Sequence, residues 1–189
     1  RDIFIYDPHN PVPSIGGRSS SYSEAAYMGA YDQRPVENRN DVLVYSTEIL
    51  ENDMEIIGPI IAYIWASSTA FDTDFTVKLV DVFPDRRAIN LCDGIIRAGF
   101  RESFEKFYPI KPGEIYNYKI IVGSTSNLFK KGHRIRIEVS SSNFPVYDRN
   151  SNTGKLTNET GPFDLQIATQ MVYHESEYPS HIVLPVIPR

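Results

Sequence analysis

The feature that most narrows the fold is an apolar side chain at every second position, repeated along nearly the whole chain. In HRIRIEV, Ile135, Ile137 and Val139 share one face, and Arg134, Arg136 and Glu138 share the other. That period of two belongs to a strand with one buried face and a solvated or polar-paired outer side. EIYNYKIIV repeats it with Tyr116, Tyr118, Ile120 and Val122. GPIIAYIWASS is apolar on both faces, the pattern of a central strand covered on both sides, which places Trp65 in the core. DFTVKLVDVF and AINLCDGIIRAGF read as two more strands joined by PDRR, a turn with Pro and Asp in their usual roles. DIFIY, DVLVYSTE, DLQIATQMVYH and HIVLPV bring the expectation to about nine strands. Helix-compatible stretches are limited to SEAAYMGAY and to SNLFKKG, where Lys131-Gly132 resembles a helix stop. The expected fold is all-β, a two-sheet jelly-roll sandwich.

A chain of 189 residues is expected to form one domain, and it can bury roughly 70% of its unfolded surface without covalent staples. The single Cys92, flanked by Leu91 and close to Ile89, reads as a buried structural thiol. A net charge of −5 and the absence of any basic run argue against a nucleic-acid partner. No apolar run is long enough for a membrane-crossing helix. The start, RDIFIYDPHN, has neither Met nor a signal-peptide core, so the chain reads as part of a longer, cytoplasmic protein. Residues 1–40 are rich in Pro, Gly, Ser and Asn and are expected to be an irregular lead-in packed on another domain. Residues 41–189 are expected to hold the sandwich.

The chemistry-bearing residues point to structure rather than catalysis. Asp148, Asn150 and Asn152 alternate like calcium ligands, with Glu159 at the twelfth position. A calcium loop needs Gly at its sixth position and flanking helices; here Thr153 is sixth and Gly154 is one late. The reading is a turn capped by its own Asn and Asp side chains, with no metal and no cofactor. Asp72 and Asp74 sit two apart and share a strand face, where Arg97 and Arg101 could neutralise them. No G-x-S-x-G elbow occurs, and His9, His133, His174 and His181 have no metal-ligand or triad spacing. No catalytic residue is expected.

Several stretches together resemble one family. DQRPVENRNDVLVYSTEIL, the run from GPIIAYIWASS to RAGFRES, PGEIYNYKI, KKGHRIRIEVSSSNFPVYDRNSNTG and PSHIVLP occur in this order over essentially the whole chain. They are similar to the C-terminal domain of the X-Pro dipeptidyl-peptidases and cocaine-esterase-like acyl hydrolases, and YDPHNPVPSIGG looks like the way into that domain. The resemblance implies a galactose-binding-like jelly roll packed on an α/β-hydrolase domain and a helical cap of the same parent chain. The family's Ser, Asp and His triad belongs to that other domain, and nothing here matches it. In the esterase branch, residues soon after the Gly-Gly pair approach the acyl pocket. This implies a pocket or interface role for Ser21 and Tyr22 in RSSSY, with Tyr27 as a further contact. Asp72, Asp74, Arg97, Arg101, Asn143, Asp148, Asn150 and Asn152 are assigned to a structural polar cluster. Two other classes stay open: a carbohydrate-binding jelly roll using some of the twelve Tyr, and a self-sufficient esterase whose nucleophile is not found. Homo-oligomerisation is also left open.

Overall fold

The computed structural model describes residues 1–18, 27–161 and 163–188. Its strands are β1 (Asp2–Tyr6), β2 (Leu43–Ser46), β3 (Met54–Ser68), β4 (Asp74–Val82), β5 (Ala88–Arg97), β6 (Tyr116–Phe129), β7 (Arg134–Ser140), β8 (Ala168–Tyr173) and β9 (His181–Val183), with one helical turn, α1 (Arg34–Glu37). One sheet has the order β1-β8-β3-β6, with β9 also on β3; the other has the order β2-β7-β4-β5. All of these pairings are antiparallel. The chain is an all-β sandwich, as its alternation requires.

The inward residues interlock between the sheets. Ile60, Ala62, Ile64 and Ala66 of β3 and Tyr118, Ile120 and Val122 of β6 meet Phe75, Val77 and Leu79 of β4 and Val139 of β7. The Phe75 and Tyr118 rings lie 4.8 Å apart. Cys92 of β5 joins this core, and burial pushes its thiol up to about 11, so it is inert packing. The sandwich closes where β5 approaches β6 at Gly94. A side chain there would run into the Ile121 carbonyl oxygen and come within 2.7 Å of Val122 Cα, so the approach requires glycine.

Three expectations are corrected. Trp65 is not in the core: Ile64 and Ala66 point inward, and Trp65 is half-buried on the outer face beneath Tyr178, 5.4 Å between rings. SNLFKKG is not helical, because Ser126 to Phe129 complete β6 and pair with β3. The described part of SEAAYMGAY, from Tyr27 onward, is not helical either, and its first residues lie outside the described ones.

The strand covered on both faces is β4, all nine of whose residues are buried. Its outward side is polar, and it is covered largely by the first forty residues. Lys78 Nζ donates to Gln33 Oε1 at 2.9 Å. Gln33 Nε2 in turn donates to the carbonyls of Ile15 and Tyr31, at 2.8 and 3.1 Å. Residues 1–40 are irregular for most of their length, but β1 lies within them. Val12 and Val36 also form a small apolar cluster with Val42. The described part of this segment is therefore packed on the sandwich itself.

Candidate functional site

The candidate site occupies the end of the sandwich where β4 begins and β5 finishes. Asp74 opens β4 and pairs in register with Arg97, the last residue of β5. The guanidinium makes two hydrogen bonds to the Asp74 carboxylate, at 2.9 and 3.1 Å. It makes a third to Asp148 Oδ1 at 3.1 Å. Asn150 sits between the two aspartates, and its Nδ2 donates to Asp72 Oδ2 at 2.7 Å and to Asp74 Oδ1 at 2.8 Å. The other Asp72 oxygen accepts the Gly99 amide at 2.7 Å. Each buried carboxylate oxygen thus meets a donor, as burial of charge demands.

The electrostatics follow from burial. Desolvation pushes Asp72 up to about 6, and it pushes Asp74 upward against the pull of Arg97. Burial works against the Arg97 charge, but its hydrogen bonds to Asp74 and the surrounding carboxylates hold its pKa above the usual arginine value. The cluster ties three separate segments together.

The same contacts account for the alternating loop. Asn150 Oδ1 accepts the Asn152 amide at 2.9 Å, and Asn152 Nδ2 donates to the Gln166 carbonyl at 2.6 Å. Asn152 itself is in the left-handed region, φ 62, which Asn tolerates. Glu159 Oε2 accepts the Leu156 amide at 3.3 Å. The side chains spaced like calcium ligands therefore face protein donors and acceptors, and among the described residues no group of three His, Cys, Asp or Glu is arranged to hold a metal ion. Adding EDTA is expected to leave the unfolding temperature unchanged. A folded-state metal at 100 times its dissociation constant would add about 2.7 kcal/mol, so a fall of several degrees on chelation would overturn the capped-turn reading.

Two assigned members stand apart. Arg101 donates to the carbonyls of Ala98 and Tyr108, at 3.1 and 2.7 Å, and its guanidinium lies over the Tyr116 ring at 4.3 Å. It holds the 98–116 loop and does not neutralise the aspartates, because β5 ends at Arg97 and a 3-10 turn at Ala98–Phe100 redirects the chain. Asn143 serves the lead-in instead, since its carbonyl accepts the Ser14 hydroxyl at 2.7 Å.

Beside the cluster, residues 15–18 and 27–33 run along the free edge of β5. The Gln33 amide donates to the Ala88 carbonyl at 2.7 Å, and the Tyr31 amide donates to Asn90 Oδ1 at 2.7 Å. Gly17 and Gly29 then exchange both backbone hydrogen bonds, 2.8 and 3.0 Å, and form the stem of a hairpin. Ser21 and Tyr22 lie outside the described residues. On the stem, Tyr27 and Met28 are 51% and 56% exposed although the backbone beside them is anchored. The Tyr27 ring lies 5.9 Å from that of Tyr31.

A second polar group missed in the sequence pins this stem. Arg18 Nη2 donates to the Asp93 carbonyl at 2.7 Å, and the Tyr147 hydroxyl donates to Asp93 Oδ2 at 2.8 Å. Burial first, and Asp93 second, push Tyr147 up to about 12. The only signal available was an Arg directly after two glycines. Tyr147 also lines a hollow of about 240 Å³ with Ile95, Arg97, Phe100, Phe104 and Asp148, and Phe104 stands 83% exposed at its rim. Hairpin stem, hollow and polar cluster thus lie together along Asp93–Arg97 of β5. The arrangement offers apolar side chains on a firm polar scaffold and, among the described residues, no nucleophile–base pair.

Comparison with known proteins agrees with this reading. The profile of the X-Pro dipeptidyl-peptidase C-terminal non-catalytic domain matches residues 5–183. The chain is 50% identical to cocaine esterase of Rhodococcus sp. (strain MB1 Bresler) over 188 residues, which is 100% of this chain and 32% of that enzyme. An aminopeptidase structure from a marine sediment Thaumarchaeota archaeon superposes with a TM-score of 0.89 at 33% identity, covering 99% of this chain and 33% of that one. An α-amino acid ester hydrolase superposes with a TM-score of 0.88 at 32% identity, covering 98% of this chain and 32% of that one. The chain spans about a third of the length of each of these relatives.

Proposed function

The chain belongs to the X-Pro dipeptidyl-peptidase C-terminal non-catalytic domain family, and from that premise we propose that it is the supporting β-sandwich of a serine hydrolase, an acyl esterase or an X-Pro dipeptidyl-peptidase. In this reading it packs on an α/β-hydrolase domain and its helical cap, and Ser21 and Tyr22 help to shape the substrate pocket. The strand orders β1-β8-β3-β6 and β2-β7-β4-β5 support the jelly-roll description. The observation that carries the proposal is the hairpin stem, where Tyr27, Met28 and Tyr31 stay exposed on backbone fixed to β5. Apolar groups held outward on an anchored scaffold are what a partner surface needs.

The purified chain is expected to show no turnover of an activated ester or an X-Pro peptide. In the full-length hydrolase, Tyr27→Ser with Met28→Ser is expected to lower the unfolding temperature and the kcat, while leaving the unfolding temperature of the isolated chain within a degree or two. Ester turnover by the isolated chain that a serine-directed inhibitor abolishes would overturn the non-catalytic reading. Full activity and stability of the double variant would remove the hairpin from the interface.

A carbohydrate-binding role is the second reading, favoured by the outward position of Tyr63 and Trp65 on β3. Their ring faces are already engaged, Tyr63 with His181 at 5.1 Å and Trp65 with Tyr178 at 5.4 Å, which leaves less aromatic surface for a sugar. A glycan array on the isolated chain separates the two readings.

A further inference from the structure

We infer that the arginine-lined pocket at the opposite end of β4 binds a small carboxylate carrying an apolar body. This pocket, of about 530 Å³, lies between the β4–β5 turn, α1 and the start of β7. Arg34, Arg86, Arg134 and Arg136 reach it from three separate segments, and Val82, Phe83, Pro84 and Ile49 supply an apolar wall. The chain as a whole carries −5, yet the lining of this cavity holds four guanidinium groups against one carboxylate, Glu37.

The arginines are not equally engaged. Arg34 is forked onto Asp32, and Arg136 is paired with Glu37 at 2.7 Å. Arg134 donates to the Thr47 carbonyl at 2.7 Å, and the carboxylate within its reach is Glu48, 3.8 Å away and fully exposed. Arg86, alone of the four, makes no ion pair among the described residues. Arg86 is therefore open to an oxyanion in the planar fork geometry that guanidinium provides, and Arg134, whose carboxylate neighbour is exposed and distant, can add a second donor. Glu37, the one carboxylate of the lining, is held by Arg136 and disfavours a multiply charged anion, so a monocarboxylate fits better than a phosphate.

The backbone gives the second observation. The Arg86 amide donates to the Phe83 carbonyl at 2.9 Å, and the Phe83 amide donates to the Arg87 carbonyl at 2.9 Å. This is a three-residue hairpin loop whose last position lies in the left-handed region, a place where glycine is favoured. Arg86 occupies it at φ 69. A strained position that carries an unpaired cation into a cavity is the kind of outlier that marks a site.

The probe is cyclohexanecarboxylate, titrated into the chain at constant ionic strength and followed by NMR shifts and unfolding temperature, with cyclohexanecarboxamide and inorganic phosphate as controls. The carboxylate is expected to saturate with Kd of about 1 mM, with neither control matching it. Arg86→Gly is expected to raise the unfolding temperature of the unliganded chain by about 2 °C, because it relieves the backbone. The same variant should weaken binding at least fivefold, and Arg134→Gln should weaken it as well. Equal responses to acid and amide, phosphate binding as tight as the carboxylate, or unchanged affinity in Arg86→Gly would each overturn the proposal. So would a loss of stability in Arg86→Gly, since the arginine would then be a structural prop.

Discussion

Replacing Arg97 with Met is expected to destabilise the domain by about 3–5 kcal/mol at pH 7.5, with most of that loss recovered near pH 4.5. Asp72 and Asp74 are both 1% exposed, and Arg97 is the cation that faces them. Without it, Asn150 alone would offer side-chain donors to two buried carboxylates. Burial already holds Asp72 up at about 6 in the folded chain, against the ordinary 3.8. Between those two values the folded state holds a proton that the unfolded state releases, so this group's contribution is most favourable below about pH 4 and worsens as the pH rises through 6. Removing Arg97 moves both carboxylates further in the same direction and widens the window upward. Urea unfolding of the parent and the variant at the two pH values reads the effect directly. Equal losses at both, or a loss below about 1 kcal/mol, would mean that the cluster is solvated and the ion pair incidental.

The polar cluster also marks how far the sequence reaches. The spacing of Asp72 and Asp74 and the Asn/Asp loop were legible, because short side chains two apart on a strand must share a face. Arg97 was only a candidate partner, because its meeting with Asp74 depends on the β4–β5 register and not on spacing along one strand. Arg101 was grouped with Arg97 because the two stand close in sequence, and the 3-10 turn after Arg97 sends them to different places. β7 and the first half of β6 were read well because their inner faces meet an apolar core, the one kind of burial that periodicity reports. β4 alternates in the same way, yet its polar face is as buried as its apolar one. Hydrogen bonds from a distant irregular segment cover that face, and single residues such as Gln33 carry no pattern to announce it. Trp65 failed in the opposite sense, as an apolar residue whose cover is a loop with Tyr178 and not the facing sheet.

Replacing Lys78 with Met tests whether that hidden polar layer holds the lead-in to the sandwich. Lys78 lies 3.7 Å from Glu138, with side-chain exposures of 8% and 4%. Burial pushes Glu138 up to about 7, with Lys78 pulling it down and Glu37 pushing it higher. Loss of the ammonium leaves Glu138 facing Glu37 with only Arg136 as compensation, and it orphans Gln33 Oε1. The expected loss is about 3 kcal/mol at pH 8. With burial holding Glu138 up at about 7 against the ordinary 4.5, stability from this group is greatest below about pH 4.5 and falls as the pH rises through 7, so the variant should recover on acidification. Hydrogen exchange gives the sharper readout. In the parent chain the amides of Gln33, bonded to Ala88, and of Val36 and Glu37, bonded to Gln33, should be protected. In Lys78→Met these amides should exchange faster at pH 8, while Ile60 to Trp65 stay slow. If the parent's Gln33 amide exchanges as fast as an open loop, the segment is not held by β4, and its order must come from another domain.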